Sequence, residues 1–245
     1  MKEQIKELYD RYASTAKIKT KDISDLHKNI SPVMQYFRQR KVQTALTLGQ
    51  FKKGSKILDV GCNTGQYTTL FDALGYKMTG IDLSDKAIEL AKENAKALNL
   101  NIDYFQADVE KLSILDENTY DGVVSFSALR YLSDLKIALQ QIYRVTQKGG
   151  VVTLDFPNKH CPWFNILKNH FGVGNHLNDH FYTAKEMSYL FKEVGFSGFE
   201  ARKIMFTHYT FNPAFLKLYK TIDFLFEQTP IIKETAAILV CKGIK

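Results

Sequence analysis

The sequence contains few cysteines and no long apolar run. Its three cysteines, Cys62, Cys161 and Cys241, form no Cys-x-x-Cys pair, which argues against a disulfide scaffold or a structural zinc ribbon. No stretch reaches the roughly 18 uninterrupted apolar residues of a membrane span, so we predict no transmembrane segment. The first residues also lack the apolar core of a secretory signal. These absences favour a cytoplasmic protein with reduced thiols.

Internal repeats, low-complexity linkers and glycine-arginine tracts are also absent from the sequence. The 245 residues are 45% apolar, which suits one large α/β domain. The net charge of +7 can attract nucleic acid, an anionic lipid surface or an acidic substrate. Because the basic clusters are short, such as Arg38-Gln39-Arg40-Lys41, we interpret this charge as solvated surface and do not favour a nucleic-acid partner.

A buried strand followed by a glycine turn lies near residue 60. Residues 57–60 form a short apolar-rich run, as expected for a parallel strand covered by helices on both faces. Gly61 and Gly65 allow the turn to approach a ligand closely and to present its amide groups. Asp82 ends the next strand, where a carboxylate can accept both hydroxyls of a ribose. The pattern predicts a βαβ unit that binds a nucleoside cofactor.

The glycine spacing distinguishes between cofactors. A dinucleotide site needs Gly-x-Gly-x-x-Gly, whereas this chain has Gly61-x-x-x-Gly65 with Asn63 between, so pyrophosphate binding is poorly supported. The sequence instead resembles the class I S-adenosylmethionine-dependent methyltransferases, whose first motif reads roughly Asp/Glu-x-Gly-x-Gly-x-Gly. Asp59, Gly61 and Gly65 match this motif, and Asn63 departs from it but tolerates a left-handed backbone. The resemblance implies S-adenosylmethionine as the cofactor.

Three further segments extend the resemblance along the chain. Asp108 and Val109 follow a strand candidate at 102–105, residues 120–126 resemble the fourth strand, and residues 144–154 resemble a helix end, a glycine turn and the fifth strand. The resemblance implies that Asp108 receives the adenine amino group. Simple helix capping by Asp82, Ser84 or Asp108 is the alternative. The expected cofactor-binding residues are Asp59, Gly61, Cys62, Asn63, Gly65, Asp82, Leu83, Asp108, Val109 and Ser125.

The resemblance also implies the fold. It is an α/β fold with a Rossmann-like, doubly wound, seven-stranded sheet in the order 3-2-1-4-5-7-6, with the last strand antiparallel. We expect a single methyltransferase domain over residues 1–245. Its parts are an N-terminal helical cover (1–50), a cofactor-binding core (51–156), a substrate-side loop (157–182) and the carboxyl half of the sheet (183–245). The residue pattern predicts helices at 84–98, 135–145 and 183–194, and a last strand at 236–242.

Candidate substrate and catalytic residues lie outside the cofactor motifs. Tyr9 and Tyr12 belong to a leading segment that resembles the helical cover of small-molecule methyltransferases, with plain packing as the favoured alternative. Arg130 follows the fourth strand and can pair with a carboxylate of the cofactor, of an acidic substrate or of the protein itself. Tyr131 beside it and His180 are the candidate catalytic residues. His180 is the candidate general base, because imidazole titrates near neutral pH.

The segment from His160 to His180 concentrates histidines, which raises a metal hypothesis. His176 and His180 are four residues apart, but the stretch between them lacks the glutamate of the zinc-protease pattern. The glycines just before His176 also disfavour a helix. We therefore predict no metal site, and a loop histidine without chemistry is the alternative interpretation of His180.

A helical insertion is predicted at 212–230. Pro213 suits its first turn, and apolar residues recur at helical spacing from Phe215 to Phe226. This stripe can cover the sheet, line an apolar pocket, pair two subunits or rest on a membrane surface, and packing in the core or pocket is favoured. Its aromatic residues suit a lipid-like or aromatic acceptor. A homo-oligomer is possible.

The sequence predicts an enzyme that moves a methyl group to oxygen, nitrogen or carbon of a small-molecule or lipid-like acceptor. The sulfonium carbon of the cofactor is already electrophilic, so alignment of the acceptor and exclusion of water are the main requirements. An RNA or protein methyltransferase is one alternative, although the Asn/Asp-Pro-Pro-aromatic signature for base amino groups is absent from residues 125–128. A non-catalytic S-adenosylmethionine-binding protein is the second alternative.

Overall fold

A mixed sheet of seven strands forms the centre of the structure. The computed structural model describes residues 3, 4, 6, 7, 10, 30–162 and 179–245. The strands are β1 (Lys56–Val60), β2 (Lys77–Asp82), β3 (Asp103–Gln106), β4 (Tyr120–Ser125), β5 (Thr146–Pro157), β6 (Ser197–Ile204) and β7 (Ile238–Ile244). The helices are α1 (Pro32–Gly49), α2 (Gln66–Ala73), α3 (Asp85–Ala97), α4 (Leu135–Val145), α5 (Ala184–Val194) and α6 (Leu216–Gln228). Short 3-10 turns lie at Leu129–Tyr131, Pro213–Phe215 and Ile232–Thr235.

The strand order confirms the predicted fold. The strands follow each other across the sheet as β3-β2-β1-β4-β5-β7-β6. Strands β1 to β5 pair in parallel, whereas β7 runs antiparallel to both β5 and β6. Ligands of such open parallel sheets bind beyond the carboxyl ends of the strands. The site is therefore expected at the ends of β1, β2 and β4.

Apolar residues that alternate along the strands build one core on each face of the sheet. On β1, Leu58 packs in a cluster with residues of α4 and α5, whereas Ile57 packs in a second cluster with residues of α1 and α2. On β4, Val123 and Val124 divide in the same way. Because successive side chains of a strand point to opposite faces, this division gives the doubly wound arrangement.

The helix starts follow the capping residues in the sequence. The Ser84 hydroxyl accepts a hydrogen bond from the Ala87 amide (3.0 Å) and begins α3. Thr183 and Glu186 form a reciprocal capping box at the start of α5. Such caps satisfy amide groups that have no partner inside the helix. The helices predicted at 84–98, 135–145 and 183–194 are confirmed within one or two residues.

The fifth and seventh strands differ from their predicted bounds. Strand β5 begins at Thr146, before the glycine turn, because Thr146 pairs with Tyr120 ahead of a register irregularity in β4. Gly149 has the left-handed φ of 78° within this strand. Strand β7 starts at Ile238 and continues to Ile244, opposite the longer β5. Both differences extend the sheet at its carboxyl half.

The predicted insertion forms the Pro213–Phe215 turn and α6, but its apolar stripe is only partly packed. Leu216 and Tyr219 are half-buried, whereas Leu218 and Leu225 are 54% and 53% exposed. The favoured interpretation of the stripe as core or pocket is therefore wrong for its outer half. Among the described residues, helix α6 contacts β6 and the 3-10 turns on either side of it.

Within the described ranges, no helix is both long enough and apolar enough to cross a membrane. The predicted cytoplasmic location stays a prediction. The division of residues 1–245 into cover, core, loop and carboxyl half also stays a prediction.

Candidate cofactor and acceptor site

A cavity of about 530 Å³ opens where the first four strands end. Its floor comes from the turns that follow those strands, and its wall comes from α1. The lining comprises residues 60–64, 66, 67, 81–84, 107–109, 126–129 and 131–133, together with Lys6, Met34, Phe37, Arg38, Lys41 and Tyr209. A cavity of this size and position is typical of a ligand site in an open α/β sheet.

The carboxylate of Asp82 connects the turns after β1 and β2. Its two oxygens accept hydrogen bonds from the backbone amides of Asn63 (2.8 Å) and Ser84 (3.0 Å). Burial raises the pKa of Asp82, and these amide bonds oppose the rise. Asn63 has the left-handed φ of 50° that the sequence predicted it would tolerate. Ser84, not Asp82, caps the following helix, so Asp82 is not the helix cap of the alternative interpretation.

Two glycines allow the first turn to pack closely. Gly61 has φ 74°, and a Cβ atom there would lie 2.1 Å from the Cβ atom of Ala128 in the turn after β4. Gly65 has φ 80°, and its Cβ would lie 2.5 Å from the hydroxyl of Tyr104 on β3. Neither position accepts a side chain without a shift of its neighbours. Gly61 contacts the cavity, whereas Gly65 fixes the start of α2.

Seven of the ten predicted cofactor-binding residues line the cavity, and three do not. Asp59 is 1% exposed and accepts a hydrogen bond from the Thr68 hydroxyl of α2 (2.7 Å). Ser125 donates a hydrogen bond to the Val60 carbonyl (2.8 Å). Asp59, Gly65 and Ser125 therefore support the turn from behind. The residues in the lining are Gly61, Cys62, Asn63, Asp82, Leu83, Asp108 and Val109.

Lys6 and Asp10, near the start of the chain, lie close to the turn after β2. Lys6 lines the cavity and its Nζ lies 2.7 Å from the carboxylate of Asp85. The Ser84 hydroxyl donates a hydrogen bond to Asp10. The N-terminal cover stays a prediction. The predicted substrate residues Tyr9 and Tyr12 lie outside the described residues.

The candidate residues Tyr131, Arg130 and His180 lie in different places relative to the cavity. Tyr131 lines the cavity. Arg130 is 9% exposed and pairs with Asp179, with a distance of 2.8 Å between Nε and Oδ1, and it is not part of the lining. The His180 amide donates to the Arg130 carbonyl (2.9 Å), while the His180 side chain is exposed and outside the lining. The Arg130 pair fixes the chain at residues 179 and 180 against this turn.

Aromatic rings form the wall of the cavity opposite Asp82. Tyr67 and Phe126 stack with ring centroids 4.3 Å apart, and Phe37 contacts Tyr209 edge to face at 5.5 Å. All four residues line the cavity. Offset and edge-to-face pairs of this kind hold ring positions firmly. The cavity therefore has a polar end at Asp82 and an aromatic end between α1 and the turn after β4.

A buried ion pair supports the aromatic end. The Nζ of Lys41 lies 2.6 Å from Oδ2 of Asp155 and 2.7 Å from the Ser127 hydroxyl, and Lys41 is 1% exposed. The other carboxylate oxygen of Asp155 accepts the Ser127 amide (2.5 Å), at a residue with φ 60°. Burial lowers the pKa of Lys41, but the Asp155 charge, Tyr67 and the Asp155 hydrogen bond together outweigh burial, so the net shift is upward. The pair fixes the left-handed turn after β4.

The sequence suggested that the basic cluster at 38–41 is solvated surface. The structure differs, because its three basic side chains are partly or fully buried. Arg38 lines the cavity, and burial lowers the pKa of its guanidinium. Arg40 pairs with Glu227 of α6, and Lys41 pairs with Asp155. Lys41 is buried and Arg38 and Arg40 are half-buried, because α1 packs against β5 and β7. The available signal was the position of Lys41, four residues after Phe37, within the apolar stripe of the helix.

The metal hypothesis gains no support from the described residues. Among them, no group of three or more His, Cys, Asp or Glu side chains lies close enough to hold an ion. His160 is exposed, and its amide donates to Asn158 (3.2 Å). His170 and His176 lie outside the described residues.

The fold and the cavity together define a class. A sheet in this order, with a glycine turn after β1 and a carboxylate at the end of β2, is a class I Rossmann-like fold for a nucleoside cofactor. Residues 58–154 match the family model described as a methyltransferase domain. This match and the strand order confirm the resemblance found in the motifs.

Curated relatives and solved structures agree with this class. The chain is 36% identical over 104 residues to a malonyl-(acyl-carrier protein) O-methyltransferase of Hamiltonella defensa, covering 42% of this chain and 38% of the relative. It is 33% identical over 152 residues to a demethylmenaquinone methyltransferase of Staphylococcus epidermidis, covering 60% of this chain and 62% of the relative. The chain therefore spans less than two thirds of the length of either relative.

A solved structure of phosphoethanolamine N-methyltransferase 2 from Haemonchus contortus, in complex with S-adenosyl-L-methionine, has the same fold. The TM-score is 0.60 at 15% identity, with 84% of this chain and 52% of that chain covered. At this identity the likeness shows the fold alone.

The buried carboxyl of Asp59 makes stability depend on pH. Burial raises its pKa from the ordinary 3.8 to about 7, opposed by the Thr68 hydrogen bond and increased by the Asp82 charge. The folded-state pKa of Asp59 exceeds the unfolded one. The contribution of the protonated carboxyl to the free energy of unfolding is therefore complete below about pH 4 and is lost as the pH rises through about 7. We expect Asp59→Asn to lose less stability over this range, by up to about 1.4 kcal/mol per pH unit.

Urea unfolding at several pH values between 4 and 8 measures this difference, with the exposed Asp116→Asn as the matched control. A pH dependence of Asp59→Asn that is equal to that of the unaltered protein would contradict the assignment.

The Lys41 pair is expected to be strongly coupled. Lys41→Met leaves the Asp155 carboxylate buried without its cation and should cost about 3 to 5 kcal/mol of unfolding free energy. The double variant Lys41→Met/Asp155→Asn should recover most of this loss, because the amide oxygen still accepts the Ser127 amide. Denaturant unfolding of both variants measures the coupling. Lys136→Met, which breaks an exposed pair with Glu193, is the control and should change little; equal losses in the single and double variants would refute the coupling.

Proposed function

We propose that this chain is an enzyme that transfers a methyl group from S-adenosylmethionine to a small-molecule or lipid-like acceptor, at oxygen, nitrogen or carbon. The observation that carries the proposal is the cavity with its polar end at Asp82 and its aromatic end at Phe37 and Phe126. Its volume of about 530 Å³ lies within the roughly 300–1,000 Å³ of ligand pockets. When bound, the cofactor supplies the electrophilic methyl group.

The polar end fits the adenosine part of the cofactor. Each oxygen of Asp82 accepts one amide, and a carboxylate offers about four acceptor positions, so Asp82 retains capacity for the ribose hydroxyls. Gly61 packs against Ala128 and itself presents no side chain to the cavity. Asp108 and Val109 line the next part of the wall, where the adenine is proposed to lie.

We assign the anion-binding role to Arg38 instead of Arg130. The guanidinium of Arg130 is already paired with Asp179, whereas Arg38 lines the cavity and forms no recorded ion pair with any residue in the described ranges. Guanidinium groups bind carboxylates through two parallel hydrogen bonds. Arg38 is therefore placed to receive the carboxylate of the cofactor or of an acidic acceptor.

The aromatic end fits a flat or alkyl-bearing acceptor. Phe37, Tyr67, Phe126 and Tyr209 offer ring faces and edges, and the cavity there is bounded by few charged groups besides Arg38 and Lys41. The name of one curated relative, a demethylmenaquinone methyltransferase, agrees with such an acceptor. Tyr131 is the candidate to contact the reacting atom, and the role of His180 as base stays a prediction.

Replacement of Asp82 tests the cofactor end. Asp82→Ala should weaken S-adenosylmethionine binding by about 1.5 to 3 kcal/mol, because charge-assisted hydrogen bonds to the ribose are lost. Calorimetric titration measures the dissociation constant, and circular dichroism confirms the fold of the variant. Glu89→Ala, at an exposed carboxylate of α3 outside the lining, is the matched control. An unchanged affinity of Asp82→Ala would count against the proposed ribose contact.

The acceptor class is tested by methyl transfer from labelled cofactor. We expect transfer to phenols, and faster transfer to phenols with an alkyl tail, because the aromatic end excludes water and buries apolar surface. Extraction separates labelled lipids and phenols from RNA and protein offered in parallel reactions. Label in RNA or protein alone would favour that alternative, and cofactor binding without transfer to any class would favour a non-catalytic binding protein.

A further inference from the structure

Helix α6 and the turn after it expose an unusual number of large apolar side chains. Phe215, Leu218 and Leu225 recur at helical spacing, so they lie along one side of the helix. Apolar residues that cluster on a surface mark an interaction site more often than single ones do. We call this set the α6 face: Phe215 (55% exposed), Leu218 (54%), Phe224 (65%), Leu225 (53%), Ile231 (82%) and Ile232 (38%).

The charges near the α6 face are divided by sign. The three acids of residues 212–235 are used by the protein itself. Asp223 is buried and accepts the amides of Phe206 (2.6 Å) and Thr207 (3.1 Å), Glu227 pairs with Arg40, and Glu234 pairs with Lys203. The three lysines of this segment, Lys217, Lys220 and Lys233, are exposed. The solvent therefore meets an apolar strip bordered by positive charge.

Ile231, the most exposed residue of the α6 face, has a strained backbone conformation. Ile231 has φ 72°, a conformation that is rare and strained for a β-branched residue. Its side chain is nevertheless 82% exposed, so burial within the described structure does not compensate. Hydrogen bonds of the adjacent 3-10 turn, including Glu234 amide to Ile231 carbonyl (3.1 Å), hold the conformation. The turn presents an apolar tip beside Lys233.

We propose that the α6 face docks this protein on an anionic membrane surface. Apolar and aromatic side chains that enter the boundary of the acyl chains, with lysines at the level of the phosphates, are the chemistry of interfacial binding. A second copy of the chain fits less well. In a symmetric pair centred on this face, Lys217, Lys220 and Lys233 would approach the same lysines of the other copy, which is repulsive.

Aromatic contacts connect the α6 face with the cavity. Phe215 contacts Tyr219 (6.4 Å between ring centroids), Tyr219 contacts Phe211 (5.4 Å), and His208 bridges Phe211 and Tyr209 at 6.2 and 4.1 Å. Tyr209 lines the cavity. Docking would thus place the aromatic end of the cavity toward the lipid phase, which suits delivery of a lipid-like acceptor. This last step rests on the proposed function, whereas docking itself does not.

Vesicle flotation without cofactor tests the docking. We expect the protein to float with vesicles of phosphatidylcholine mixed with phosphatidylglycerol, and to bind weakly to phosphatidylcholine alone. Lys217→Gln and Lys233→Gln should each weaken binding about fivefold, and salt should weaken it further. Phe224→Ser/Leu225→Ser should abolish flotation. The matched controls are Ile114→Ser, at a 56% exposed apolar site outside the face, and Lys86→Gln on α3.

A fluorescent label reports insertion directly. All three native cysteines are buried, so Leu225→Cys provides a single exposed thiol for an environment-sensitive dye, and Ile114→Cys provides the control. We expect a blue shift with anionic vesicles at position 225 and none at 114. Absence of flotation, equal loss in the control variants, or a dimer that Phe224→Ser/Leu225→Ser dissociates without any vesicle binding would overturn the proposal. Methyl transfer to a water-soluble acceptor, measured without vesicles, tests the proposed function separately.

Discussion

The carboxylate of Asp82 determines the geometry of the polar end of the cavity. It receives the amide of Asn63 from one turn and the amide of Ser84 from another, so the ends of β1 and β2 are held at fixed separation. Hydrogen bonds to a charged acceptor are stronger than neutral ones, and here they also oppose the effect of burial on the charge. The carboxylate that holds the two turns together still has acceptor positions for further hydrogen bonds. Order and binding capacity therefore come from one side chain.

The aromatic end of the cavity is organised differently, by a buried ion pair surrounded by rings. Lys41 reaches from α1 to Asp155 at the end of β5, and it lies within about 6 Å of the ring centroids of Phe37, Tyr67 and Phe126. Such a pair contributes little net stability compared with apolar packing, but it specifies one arrangement. It fixes α1 against the sheet and the turn after β4 at once. Helix α1 thereby forms a wall of the cavity.

The cofactor end was predictable from the sequence because its determinants are local. A strand, a turn and a helix start follow each other within a few residues, and the positive φ of Asn63 and the position of Asp82 depend on that short span. The role of Lys41 was not predictable, because its partner Asp155 is distant in the chain and is brought near only by the sheet order. The sequence left the partner of Arg130 open between a ligand and the protein for the same reason, since Asp179 is distant in the chain.

The contact between Gly61 and Ala128 restricts which side chains the turns after β1 and β4 can carry. With 2.1 Å between the built Cβ and that of Ala128, an added side chain at position 61 is excluded, and enlargement of residue 128 would push the two turns apart. The aromatic end rests on α1 and on the segment around Tyr209, which lie outside that contact. Replacement of these two segments would thus reshape the aromatic end while the packing of the two turns is retained.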